Sequence, residues 1–514
     1  MDAIGMRTIP SLLQEQVKQN GNKTFLLFED ANGGSYSVSY EEFDQTVKKL
    51  INVLCSKGIR KGDKVLLHLP NSLDFMYAWF AITSMGAVMV PTNILSPKSE
   101  MDYLISHSNS KLIITEEAYL DKFTEIVSER NLEVLLSRCE GREYEDKDLQ
   151  RLLDSAEVLS VETNNVTSDD VAAILYTSGT TSKPKGVLVT HANYIYAGEY
   201  MSQTLKMRSD DRGLIVLPMF HGNGQYYLTM PLLTVGGSIA LTEKFSASRY
   251  FEQAESFKAT IGSLFAAPIK MILRSGEGKT YNHKLKTIIF AQSVTAEQLE
   301  QFEQTYEVGL LQIYGMTETI GTPLMNPLDG VRTNMSIGKP GIGYEVKLVD
   351  EDGKEVENGE VGQIIVKGIP GRTLMKGYFE NEEKTKASLQ DEWLYTGDNA
   401  RIGDDGCFYF VDRMKDMVKR AGENIATSEI EDILNEHPHI SDSAVIGVPD
   451  EMRDVAIKAF IIQKEDADLS EEEVISYCKE RLASFKVPEE VQFVDEFPRT
   501  SVGKIQKHQL LTTT

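Results

Sequence analysis

Apolar runs of strand length alternate with stretches of helical periodicity along much of this 514-residue chain, and that alternation narrows the possible folds more than any single motif. "YEEFDQTVKKLINVLCSKGI" spaces its apolar residues at helical intervals and closes on Gly58, a suitable C-cap. "DKVLLHL" then predicts a strand, the segment from Phe75 a buried helix, and "AVMVPTN" another strand. The pattern returns at "GLIVLPM", "GSIALTE", "ATIGSLF" and "KTIIFAQ". Strand–helix–strand repetition predicts layered α/β subdomains on largely parallel sheets. The most apolar stretch, Phe75 to Val90, contains Thr83, Ser84 and Gly86 and falls short of the ~20 residues a bilayer span needs.

After Asn334 the texture changes. "YEVKLVDEDGKEVENGEVGQIIVKG" places short strands around Asp352-Gly353 and Asn358-Gly359 turns, which predicts a small antiparallel, barrel-like unit over about 335–411. From Asp412 a compact α+β tail follows, with helices at "TSEIEDILNEHP" and "SEEEVISYCKERLASF". The expected organisation is a large N-terminal domain over 1–412 and a small C-terminal domain over 413–514, with a hinge near "DRMKDMVKRAGEN". A length of this size suggests about three units at ~150 residues each.

The charge balance, 53 basic against 77 acidic residues, gives a net −24. Such a surface repels nucleic acid and anionic membrane, so an anionic ligand must bind where lysines and backbone amides are concentrated. Cys55, Cys139, Cys407 and Cys478 are too scattered for a disulfide framework or a CxxC metal site and read as reduced thiols. The N-terminus has no basic segment leading into an apolar one, so no signal peptide is expected, and the chain reads as cytoplasmic.

One stretch concentrates donors. "VAAIL", a buried strand, runs directly into "YTSGTTSKPKG", Tyr176 to Gly186, with hydroxyls, two glycines and two lysines. A glycine-rich turn after a strand lets N–H groups converge on phosphate oxygens, and hydroxyls and lysines add charge-assisted donors of roughly 1.5–3 kcal/mol each. No Gly-Lys-Ser/Thr follows Gly179 at the spacing of a Walker A loop. The stretch therefore predicts a nucleotide or polyphosphate cradle of another type; a plain polar turn is the alternative, made awkward by Pro184 between two lysines.

These residues resemble the signature of the adenylate-forming superfamily, which comprises acyl-CoA synthetases, peptide-synthetase adenylation domains and firefly-type luciferases. Further blocks of that family follow in order: "LPMFHG", "YGMTE", "SIGKP", "YTGD", "DRMKDMVKRAGENI" and "PRTSVGKI". The resemblance covers essentially the whole chain and implies ATP-dependent activation of a carboxylate, with pyrophosphate released and a thiol, coenzyme A, then displacing AMP. In the loop, Thr177, Ser178, Gly179, Thr180, Thr181 and Lys185 would hold the β- and γ-phosphates. Tyr314 would stack on adenine, Thr317 would bond the α-phosphate, and Glu318 would bind Mg²⁺ as a hard oxygen ligand. Asp398 and Arg413 would face the ribose. Lys504 would bridge the attacking carboxylate and the phosphate. The C-terminal domain would rotate about Lys415 after adenylation, bringing residues near Gly422 to the thiol's tunnel.

Three blocks depart from the family's usual pattern. Ser182 stands where many relatives carry glycine, "AQSV" on the adenine side puts Gln292 in place of a glycine-rich run, and "EMRDVAIK" lacks a usual Gly-Glu pair. Ser182, "EKFSASRYFEQ", "MVKRAGENI" and "RDVAIKAF" are most similar to the crotonobetaine/carnitine–CoA ligase branch. That implies a small carboxylic acid, of the kind bearing a quaternary ammonium, with Tyr226 and Tyr227 offering cation–π contacts; a plain apolar acyl pocket is the alternative. His221 would gate the acyl tunnel or back the carboxylate, or else serve as a packed ring. The absence of an aspartate there argues against an α-amino acid substrate. Fatty acid–CoA ligation and adenylate delivery to a carrier protein remain rival functions, and a non-catalytic nucleotide-binding scaffold would not need Lys504.

Overall fold

The computed structural model describes residues 4–139, 144, 146–158, 165–177, 183–275, 280–291, 294–413, 418–420, 423–450, 454–464, 467–483, 486–499 and 505–510. Two large mixed sheets organise the N-terminal domain. In the nine-stranded sheet, six strands run parallel in the order Gly309–Tyr314, Thr287–Ala291, Ile261–Phe265, Arg212–Ile215, Ser238–Thr242 and Thr24–Glu29. Antiparallel strands flank them: Ser35–Ser39 on one side, Leu324–Met325 and Lys339–Pro340 on the other. The predicted parallel α/β layering is therefore present, and the buried faces explain why these strands read as continuous apolar runs.

The seven-stranded sheet places Val171–Thr177, Val88–Pro91, Lys64–His68, Ser110–Glu116 and Glu133–Ser137 parallel to one another. Lys185–Thr190 and Gly377–Tyr378 continue it antiparallel. The Phe75 segment folds as expected into a buried helix, Leu73–Ser84, whose N-cap Ser72 accepts from the Phe75 N–H. Trp79 and Phe80 on that helix are fully buried in the main core. The helix Tyr40–Ser56 opens with a capping box between Ser39 and Glu42, and Gly58 follows it at φ +81°. Among the described residues, no helix is long and apolar enough to cross a membrane.

A five-stranded antiparallel sheet comprises Glu345–Val349, Val361–Lys367, Leu389–Gln390, Trp393–Ile402 and Phe408–Arg413. The smaller C-terminal domain packs Thr427–Asn435 and Glu471–Lys479 against a sheet of Ile440–Asp450, Asp454–Gln463 and Glu490–Phe493. The second helix is shorter than its sequence pattern: Lys479 is its last residue, and the Arg481 and Leu482 N–H groups both turn back to the Cys478 carbonyl. All four cysteines are free.

Candidate active site

Parallel sheets gather ligands beyond the carboxyl ends of their strands. Here the strand Gly309–Tyr314 delivers Tyr314 and, past it, the short 3-10 turn Thr317–Thr319. Its neighbours deliver Leu217–Gly222, Phe265 and Ala291 to the same edge. The turn after Tyr314 is held in a rare conformation. Ile320, fully buried, has φ +64° and ψ −62°, and the Gly321 N–H donates to the Thr319 carbonyl at 2.6 Å, closing a γ-turn. A β-branched residue adopts this backbone only where its surroundings impose it. The Tyr344 hydroxyl supplies that constraint, donating to the Thr319 carbonyl at 3.0 Å and accepting from the Gly321 N–H at 3.2 Å. Tyr200 donates to the Thr322 carbonyl, three residues beyond Thr319, at 2.7 Å.

Glu318 is 5% exposed, and the Tyr378 hydroxyl donates to its Oε1 at 2.9 Å. Burial and the Glu318 carboxylate push the Tyr378 phenol above its usual range, so it stays a donor. Tyr314 donates to Asp398 Oδ2 at 2.8 Å, and both side chains are buried. Arg413 stands directly opposite Asp398 in the antiparallel ladder. The expected base-stacking, ribose-binding and ion-binding residues are thus brought to one edge of the sheets.

The donor-rich loop is the connection of a hairpin. Thr177 pairs with Lys185, and Tyr176 with Gly186, across antiparallel strands. That differs from a Walker A loop, which opens a helix. The Lys185 ammonium lies 5.9 Å from the centre of the Tyr378 ring, and burial lowers its pKa, aided by Lys384 and opposed by Glu318. A cavity of about 300 Å³ beside the hairpin is lined by Tyr103, His107, Lys183, Lys185, Tyr378 and Phe379. Ser178, Gly179, Thr180, Thr181, Ser182, Gln292, Lys415, Gly422 and Lys504 lie outside the described residues. On either side of the Lys504 segment, Arg499 and Ile505 pair in an antiparallel bridge.

On the acyl side, Tyr226 and Tyr227 sit in a seven-residue π-helix, Asn223–Thr229, a geometry frequent at functional sites. Tyr226 is 1% exposed, and its ring meets Tyr194 edge-on with centroids 5.6 Å apart. It packs over Gly222, where a Cβ would come within 2.6 Å of the ring. Its hydroxyl has no hydrogen-bond partner among the described residues. Tyr227 reaches Gly315, where a Cβ would lie 2.7 Å from the phenol oxygen. The His221 ring lies tilted at 44° to that of Phe220, with centroids 4.3 Å apart, just before the π-helix. Asn71, which no sequence signal singled out, fixes this segment: its amide donates to the Leu217 carbonyl and accepts from the Met219 N–H.

The family model for AMP-binding enzymes matches residues 13–379, and the model for the AMP-binding enzyme C-terminal domain matches 429–504. The chain belongs to the AMP-binding enzyme family. It is an adenylate-forming acid–thiol ligase of the acyl-CoA synthetase kind. This AMP-binding enzyme is 36% identical to the crotonobetaine/carnitine–CoA ligase of Proteus mirabilis strain HI4320, over 99% of this chain and 100% of that one. The ligase of the same description from Citrobacter koseri is 35% identical over the same shares. Among solved structures, the anthranilate CoA ligase AuaEII in complex with anthranoyl-AMP superposes with a TM-score of 0.90 at 26% identity, covering 99% of this chain and 97% of that one. ATP-bound MatB from Rhodopseudomonas palustris gives 0.88 at 28% identity with 99% of each chain covered, whereas apo MatB gives 0.76. The large and small domains of this AMP-binding enzyme are those of the family.

Proposed function

We propose that this enzyme joins a small carboxylic acid bearing a quaternary ammonium to coenzyme A by way of an acyl-adenylate. The observation that carries the choice of acid is the full-length 36% identity to a crotonobetaine/carnitine–CoA ligase. The buried Tyr226–Tyr227 pair supports it, since aromatic faces attract a desolvated cation by up to about 2 kcal/mol.

In the first half-reaction a carboxylate oxygen attacks the α-phosphorus of ATP and the bond to pyrophosphate breaks. Thr177, Ser178, Gly179, Thr180, Thr181 and Lys185 hold the departing phosphates, Tyr314 with Gln292 lines the base, and Asp398 with Arg413 holds the ribose. Thr317 bonds the α-phosphate, and Lys504 neutralises the charge that builds between carboxylate and phosphate. His221 backs the acyl group at the π-helix mouth. In the second half-reaction the thiol sulfur attacks the acyl carbonyl carbon, AMP leaves with the C–O electron pair, and the thiol proton is released. Rotation of residues 413–514 about Lys415 exchanges Lys504 for the segment near Gly422.

Glu318 suits the Mg²⁺ that accompanies ATP. It is a buried carboxylate with one oxygen steadied by a phenol. Among the described residues no group of three or more His, Cys, Asp or Glu forms a protein-only cage. One carboxylate plus phosphate oxygens is the ligand set that Mg²⁺ commonly takes. When bound, the ion neutralises charge on the phosphate oxygens.

The test is acid-dependent pyrophosphate–ATP exchange with crotonobetaine, carnitine and γ-butyrobetaine beside straight-chain acids and the uncharged isostere 5,5-dimethylhex-2-enoate. The betaines are expected to win by about 10-fold over the isostere, the size of a desolvated cation–π preference. Preference for the isostere or for straight-chain acids sinks the betaine assignment and leaves the ligase assignment standing.

A further inference from the structure

The two-residue strand Gly377–Tyr378 lies between the two places where the phosphates are expected. Tyr378 pairs with Val187 and Gly377 with Leu188, so this strand is hydrogen-bonded to the one that carries Lys185. The Phe379 N–H donates to the Gly186 carbonyl at 2.7 Å, right at the base of the donor-rich hairpin. The same segment grips the other side of the site, where the Met375 N–H donates to the Glu318 carbonyl at 2.9 Å.

Tyr378 itself is fixed from behind. Its N–H donates to Thr385 Oγ1 at 2.9 Å, and Gly377 holds φ +148° with Thr385 packed where a Cβ would lie 2.9 Å from its methyl. Only glycine combines that backbone with that contact. The phenol is therefore delivered on a rigid strand. Its hydroxyl donates to Glu318 Oε1, and its ring faces the Lys185 ammonium. Glu318 rides on a short turn beside the strained Ile320, and a buried carboxylate of that kind has rotational freedom unless a donor removes it.

We infer that Tyr378 is a positioning residue, tying the Glu318 carboxylate and the Lys185 ammonium to one strand so that both present a fixed geometry to the metal-bound polyphosphate of ATP. The inference rests on the assignment of Glu318 as the ion-binding carboxylate. Donors that orient a metal-binding carboxylate typically change metal affinity by 10- to 100-fold when removed.

The experiment measures Mn²⁺ binding by electron paramagnetic resonance to the full chain with the non-cleavable analogue α,β-methylene-ATP. Wild type, Glu318→Gln and Tyr378→Phe are compared, alongside analogue binding without metal and the melting temperature. Tyr378→Phe is expected to weaken Mn²⁺ about 10-fold and to leave metal-free analogue binding within twofold. Unchanged Mn²⁺ affinity in Tyr378→Phe, with Glu318→Gln weakened, overturns the role of Tyr378 alone. Unchanged affinity in Glu318→Gln overturns the ion-binding assignment beneath it. Equal weakening with and without metal makes Tyr378 merely structural and overturns the inference. If Tyr378→Phe does not fold, Thr385→Val loosens the strand while keeping the phenol; it is expected to show a smaller loss confined to the metal complex, and its absence counts against the proposal.

Discussion

The Tyr314 hydroxyl donates to Asp398 Oδ2 at 2.8 Å, joining side chains 84 residues apart that we propose serve the base and the ribose of one nucleotide. The bond orients the carboxylate and the ring together, and both are buried before any ligand arrives. Asp398→Ala removes the acceptor of that bond. We expect kcat/KM for ATP to fall by about 10- to 100-fold, since a hydrogen bond to a charged group contributes about 1.5–3 kcal/mol. Wild type should also discriminate ATP from its 2′,3′-dideoxy analogue, and the variant should not; steady-state kinetics with both nucleotides checks this.

Gly315 leaves room that no other residue can leave. A Cβ there would approach the Tyr227 phenol oxygen at 2.7 Å and the Gly321 carbonyl at 2.9 Å. Gly315→Ala should lose about 1–3 kcal/mol of stability through overpacking. Adding Tyr227→Phe should recover part of the loss, but not all, because the backbone carbonyl stays in place. Denaturant titration of the single and double variants measures both effects.

Lys504 falls outside the described residues, yet the chemistry assigned to it is specific. Lys504→Ala should lower adenylate formation by ~10²–10³-fold, the effect of losing one preorganised transition-state donor. Thioester formation from a supplied acyl-adenylate should change far less. Unchanged pyrophosphate exchange would remove Lys504 from the mechanism.

Among the described residues, the polar contacts between the C-terminal and N-terminal domains include two from the helix Ala266–Ser275. The Lys270 ammonium lies 3.9 Å from the Asp442 carboxylate, and Arg274 donates to Ser441 Oγ at 2.7 Å. Asp442 also pairs with Arg499, which begins the Lys504 segment. Half-exposed pairs of this kind contribute under about 1 kcal/mol. Lys270→Glu should therefore slow pyrophosphate exchange a few-fold while sparing the thiol half-reaction, measured separately with a synthetic acyl-adenylate.

Glu431 supplies a pH dependence. Burial pushes its carboxyl up to about 7, although Lys507 at 2.8 Å and the Val445 N–H both act to lower it. A folded-state pKa above the ordinary 4.5 means that the folded protein holds the proton more tightly. The stabilisation is complete below about pH 4.5 and is lost as pH rises through about 7. The melting temperature of wild type minus that of Glu431→Gln should accordingly fall across that interval and level off above it.

The candidate site was proposed from blocks of residue types, and the reason those blocks could be read is local. A strand followed by glycines, hydroxyls and lysines leads to the expectation of a phosphate cradle within eleven residues, and apolar periodicity announced the parallel sheets. What could not be read was long-range. Tyr344 reaches the turn at Thr319 from 25 residues away, Asn71 reaches Met219 across 148, and Tyr378 reaches Glu318 across 60. None sits in a stretch whose composition reports its partner. The positive φ of Ile320 was equally hidden, because a β-branched residue gives no local sign that tertiary bonds will hold it there. The helix after Ser470 looked longer in sequence than it is, since "KERLASF" keeps apolar spacing past the point where Arg481 and Leu482 turn back on Cys478.

The most direct test is to incubate the enzyme with ATP, Mg²⁺, coenzyme A and crotonobetaine and quantify every product by mass spectrometry. The account predicts crotonobetainyl-CoA, with one AMP and one pyrophosphate for each thioester formed. Cleavage of ATP to ADP, or AMP and pyrophosphate without a thioester from any acid tried, would contradict it.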